Sequence, residues 1–156
     1  MDYEPLVGEK IEAGRQYLLA CRKLGEILAA CWIKESELSG WYLYVAIHGI
    51  NDTNKLKGYG LILEPLRGEH SLYLSSRYVK LVSDTHPIVG EVNKLYSTYP
   101  ATGDTWYQGP MFGGIGTDSV FIYAPSALNG SVATKANQKL AKKLKPMPKK
   151  RTVSKR

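Results

Sequence analysis

At 156 residues, with 44% apolar and 10% aromatic side chains, the chain is long enough for one packed core and too apolar for a wholly disordered polymer. Its most apolar stretch, YLLACRKLGEILAACWI at 17–33, is broken by Arg22, Lys23 and Glu26, so no transmembrane span is expected. MDYEPLVGEK places acidic residues where a secretory leader carries positive charge, so no export signal is expected and the expected location is the cytoplasm.

The net charge of +7 is unevenly spread. After Ser126 come Lys135, Lys139, Lys142, Lys143, Lys145, Lys149, Lys150, Arg151, Lys155 and Arg156, with no acidic residue among them; removing those ten charges leaves −3 over residues 1–125. A mildly acidic body with a cationic extension is therefore expected, with a boundary near residue 125.

In chain order, the first expected element is a helix from about Glu9 to Lys34. Tyr17, Ala20, Cys21, Leu24, Ile27, Leu28 and Cys31 recur there at three- and four-residue steps and form one apolar stripe. Such a helix would hold Cys21 and Cys31 roughly 15 Å apart, beyond reach of a disulfide. Two lone thiols without neighbouring His or Cys make no zinc site and read as buried apolar residues of a reducing compartment. The helix also offers a surface for a partner protein or a homodimer.

WYLYVAI at 41–47 is short, aromatic and β-branched, and reads as a strand buried on both faces. NDTNKLKGYGLILEPL follows as a poor helix, its start capped by Asp52 or Thr53. YVKLVS at 78–83 is the second strand. Pro87 opens a helix with Ile88, Val92, Leu95 and Tyr96 on one face. TWYQG at 105–109 and SVFIY at 119–123 close the series as a hairpin.

The expected fold is thus α/β or α+β: a mixed sheet of about four strands in the order α-β-α-β-α-β-β, with helices on both faces. Strands joined by a helix should be parallel neighbours. Residues 126–156 are expected to be a largely disordered tail with a possible basic helix at 131–145, where Val132, Ala136, Leu140 and Leu144 stand one turn apart.

WYLYVA, YVKLVSDTHP, TWYQGPMFGGIG and SVFIYAP together resemble a family of small bacterial α/β domains of unknown function, over residues 40–125. The resemblance implies a strand–helix–strand–helix–hairpin core with a GG turn. It implies no activity.

Several stretches bear on chemistry. GGIG at 113–116 has the glycines of a phosphate cradle, but such a loop needs a helix at its exit and a lysine for the phosphates. Here VFIY follows, no GKS or GKT is present, and Asp118 would repel an anion, so the stretch reads as a wide hairpin loop with glycines at positive φ. Strand C-terminal ends are where open α/β sheets hold ligands. His48 and Asp52 follow the first strand, and Asp84 and His86 the second. If those strands are parallel, the four converge, either for acid–base or metal chemistry or as helix caps and turn formers. His70 reads as a solvated loop residue. No nucleophile motif, metal-ligand set or cofactor fingerprint is present, so a catalytic role, a metal and a cofactor are not expected.

Tyr42, Tyr44, Phe121 and Tyr123 would offer a base-stacking platform only if one sheet face were open. The extension is the better candidate for nucleic acid. Lys142, Lys143, Lys145, Lys149, Lys150, Arg151, Lys155 and Arg156 suffice to neutralise several phosphates of DNA or RNA. An anionic membrane surface or an acidic protein would attract the same charges.

Overall fold

In a computed structural model, the described residues are 6, 8–38, 40–66, 74–129 and 144. The elements run α1 (Gly8–Cys21), β1 (Ile27–Glu35), β2 (Tyr42–Ile47), α2 (Lys55–Ile62), two short 3-10 turns (Glu64–Leu66 and Ser76–Tyr78), β3 (Val79–Val82), α3 (Pro87–Thr98), β4 (Thr105–Tyr107), β5 (Met111–Phe112), β6 (Ile115–Ile122) and α4 (Pro125–Asn129).

The sheet has six strands in the order β3-β2-β1-β6-β4, with β5 paired to β6. β2 and β3 are parallel, as expected for strands joined through a helix, and every other pair is antiparallel.

The largest departure from expectation lies in residues 22–35. The helix stops at Cys21, Arg22 to Gly25 turn the chain, and ILAACWIKE becomes the central strand. β1 lies between β2 and β6, and core layers bury both its faces: Ala30 and Trp32 point to one, Ala29, Cys31 and Ile33 to the other. A doubly buried strand has no polar alternation, and a continuous apolar run satisfies helical spacing by default. The two cysteines therefore do not share a helix. Both are free and buried, Cys21 in one layer and Cys31 in the other. Burial pushes the Cys21 thiol up to about 12 and raises that of Cys31 as well.

α1 and α2 cover one face. Tyr17, Leu18, Cys21 and Ile62 pack there with Trp32, Trp41, Leu43, Val45, Leu81, Phe121 and Tyr123. α3 and the β5–β6 hairpin cover the other, where Ile88, Val92 and Phe112 meet Ala29, Cys31, Tyr44, Val82, Val120 and Ile122. With both faces covered, the stacking platform does not form: Tyr44 and Phe121 are buried, and they lie on opposite faces. GGIG forms a tight two-residue turn at Gly113–Gly114, with φ of +57° and +80°, rather than a wide loop.

The folded body continues past residue 125. α4 seats Asn129 beside the start of β1, where its side chain accepts from Ile27 N (2.7 Å) and donates to Ile27 O (2.8 Å). Further along, Leu144 is helical and buried in the α1–α2 core layer. The eight cations proposed to contact nucleic acid, and His70, lie outside the described residues.

Candidate functional site

The parallel pairing of β2 with β3 brings the four polar residues singled out from the sequence to one end of the sheet. Asp84 N donates to Ile50 O (2.8 Å), and Asp84 Oδ2 accepts from Gly49 N (3.2 Å), tying the two strand exits together. His86 is the N-cap of α3: its Nδ1 accepts from Ile88 N at 3.1 Å, and Pro87 follows as the first helical residue. Asp52 pairs with Lys55 at 3.8 Å on the exposed rim, and His48 is exposed. Neither Asp52 nor Thr53 caps α2. That position belongs to Asn54, whose Oδ1 instead accepts from Asn51 N, while Asn51 Oδ1 holds Thr53 N and Oγ1.

The two strand exits are adjacent, but Asp84 and His86 spend lone pairs on backbone N–H groups. Among the described residues no three His, Cys, Asp or Glu side chains are placed to hold one metal ion.

The pKa of His86 is lowered, first by burial, then by the charge of Lys55, with Asp52 opposing. Protonation would also remove the acceptor that caps α3. The sign follows from linkage. With the folded pKa below the ordinary 6.5, the unfolded chain takes up the proton first as pH falls. The cap's contribution is full above that value and declines as pH drops below it. His86→Asn keeps a capping acceptor that does not titrate, so its urea-unfolding midpoint should fall less than that of the native chain between about pH 7 and pH 5. Equal declines would mean that another group governs the slope.

A second polar cluster was not legible in the sequence. Tyr44 OH donates to Glu35 Oε2 in a short hydrogen bond, and Lys80 Nζ sits 3.2 Å from that carboxylate oxygen and 3.3 Å from the phenol oxygen. Lys80 also lies 4.5 Å from the ring centre of Tyr42, which packs on Tyr78. Burial first, then Glu35, raises the pKa of Tyr44, so the phenol stays protonated as a donor. Only the pairing of Glu35 on β1 with residues 44 and 80 on β2 and β3 assembles this group. Its donors and acceptors satisfy one another. On the opposite face, Lys34 is buried, with its ammonium 2.8 Å from Leu38 O, 3.3 Å from Glu35 O and 3.3 Å from Asp118 Oδ2. That is the arrangement burial of a lysine requires.

Two of the concavities on the described surface are open and mainly apolar. An open groove of about 500 Å3 lies between the start of β1, α3 and α4, walled by Leu28, Val89, Tyr96, Pro100 and Pro125 with Glu26 among its lining residues. A hollow of about 410 Å3 lies against α1 and the first 3-10 turn, lined by Tyr17, Ala20, Pro65, Leu66 and Leu74. Neither is lined by His48, Asp52, Asp84 or His86. No helix among the described residues is long and apolar enough to cross a membrane. Compared with protein-family models, curated proteins and solved structures, the chain finds no match.

Proposed function

We propose that this chain is a non-catalytic binding protein whose cationic extension docks on nucleic acid or on a complex that already holds nucleic acid. The charge segregation carries the reading: ten cations and no acid after Ser126, against −3 over residues 1–125. Neutralising phosphates releases condensed counterions, which gives affinity without sequence preference. Leu144, buried in the core layer, is an apolar anchor within this stretch of the chain.

The state of the polar residues at the strand ends favours binding over catalysis. His86 and Asp84 act as cap and turn ligand, which commits two of the four residues of the enzyme alternative to backbone N–H groups. The resemblance of residues 40–125 to small bacterial domains, and a cytoplasmic setting in which two free thiols persist, belong to this same reading.

Fluorescence anisotropy with generic DNA and RNA at two salt concentrations tests it. The full-length chain should bind with a log–log salt slope of about −0.7 to −0.9 per phosphate neutralised. A full-length variant with Lys142, Lys143, Lys145, Lys149, Lys150, Arg151, Lys155 and Arg156 changed to Gln should lose that salt-sensitive binding. Equal binding by both chains, or binding by neither, would refute the proposal.

A further inference from the structure

The sheet ends in two edges that are treated differently. At β3, Leu81 N donates to the phenol oxygen of Tyr59 at 2.9 Å, so α2 plugs that edge with a side chain. At β4, among the described residues, no hydrogen bond reaches the backbone of Thr105, Trp106 or Tyr107 from outside the sheet. The same strand carries an indole with 47% of its surface exposed. Trp106 is held by edge contacts to Phe121 (5.1 Å between ring centres) and Trp41 (6.1 Å), which fix its orientation. Natural sheets block open edges with lysine, proline, inward charge, a covering element or a very short edge strand, because unpaired N–H and C=O groups template further strands; β4, at three residues, has only its shortness. Residues 105–107 carry none of these side chains.

We propose that the β4 edge is a homodimer interface, in which two copies pair antiparallel about a two-fold axis at Trp106 and join their sheets. The segment Asp104–Gln108 is self-complementary in that register. Trp106 faces its own copy, Thr105 faces Tyr107 of the partner, and the one charged residue, Asp104, falls opposite the neutral amide of Gln108. A parallel pairing in register would set two Asp104 carboxylates side by side, so charge selects the antiparallel arrangement. Asp104 is already committed within its own chain, accepting from Arg15 Nη2 (2.6 Å) and Ala124 N (2.8 Å), so pairing leaves no carboxylate unmatched.

Pro110, lacking an N–H, ends the usable edge soon after Gln108 and keeps the contact short. The contact is accordingly a reversible one, with paired aromatic residues at its centre. α1, the element expected from the sequence to dimerise, turns Gly14, Tyr17, Leu18 and Cys21 inward and exposes Glu9, Glu12 and Gln16.

Sedimentation velocity of the full-length chain over a concentration series is the test. The native chain should shift from monomer toward dimer mass with concentration. Trp106→Lys, with an unchanged far-ultraviolet circular dichroism spectrum, should stay monomeric, and Trp106→Phe should retain the shift in part. A native chain that remains monomeric at its highest soluble concentration overturns the proposal, as does a dimer that survives in a folded Trp106→Lys chain. None of these readouts uses nucleic acid, so the result stands apart from the role of the extension.

Discussion

Gly113→Ala should destabilise the chain by about 3 kcal/mol or more, far beyond the same change at its neighbour. Both residues of the β5–β6 turn have positive φ, which costs a residue with a Cβ about 1 kcal/mol or more. The second cost is local to Gly113. A methyl group there would lie 2.3 Å from Ile88 Cγ2 and 2.7 Å from Ile88 Cα and N, whereas one at Gly114 meets nothing within 4 Å. Two of the three obstructing atoms are backbone in the first turn of α3, so a rotamer change cannot relieve them. Either the hairpin lifts from the sheet face, exposing Phe112, or α3 shifts away from the His86 cap. Urea unfolding of Gly113→Ala and Gly114→Ala measures the difference directly. Equal losses would mean that the turn does not press on α3, and the account of that face would be wrong.

Asn129→Ala should cost about 3 kcal/mol, because one side chain satisfies both backbone groups of Ile27 and also donates to Pro125 O at 2.9 Å. The residue is buried, so truncation leaves an N–H and a C=O at the head of the central strand without the amide that satisfied them. Asn129→Asp is the informative companion. A carboxylate still accepts from Ile27 N but has no N–H for Ile27 O, and it brings a buried charge, so it should be at least as damaging as alanine. Hydrogen exchange at Ile27 and at its neighbours on β2 and β6 should accelerate in both variants. A loss under about 1 kcal/mol with unchanged exchange would show that α4 is peripheral to the fold.

Much of the periodicity-driven structure was legible in the sequence, and the failures share one cause. β2, β3 and α3 lie where aromatic alternation, β-branching and a His-Pro start place them. α2 lies where its weak pattern does, though with a different cap. The helix expected from Glu9 to Lys34 takes in most of β1 because an uninterrupted apolar run carries no phase. Trp32 fits a helix stripe as well as a strand, and only the presence of β2 on one side and β6 on the other decides between them. At the strand ends, the parallel pairing of β2 and β3 sets both exits at one end of the sheet, but the hydrogen-bond partners of Asp84 and His86, and so their availability, were not encoded in residue type. Glu35, Tyr44 and Lys80 were invisible for a related reason: they come from three strands, and no local pattern joins them.

Composition alone established the opposition between a mildly acidic stretch over residues 1–125 and a cationic one after Ser126, since charge is a property of residues and needs no geometry. The turn glycines, the helix-opening proline and the paired hydrophobic strands followed from short-range sterics that act within a few residues. Tertiary structure decided which side chains remain available. Packing against both sheet faces consumed the tyrosines, backbone N–H groups claimed His86 and Asp84, and strand order left β4 at an edge with Trp106 half exposed. The physical reason is that burial and hydrogen-bond satisfaction depend on neighbours far apart in the chain, while propensity and charge do not.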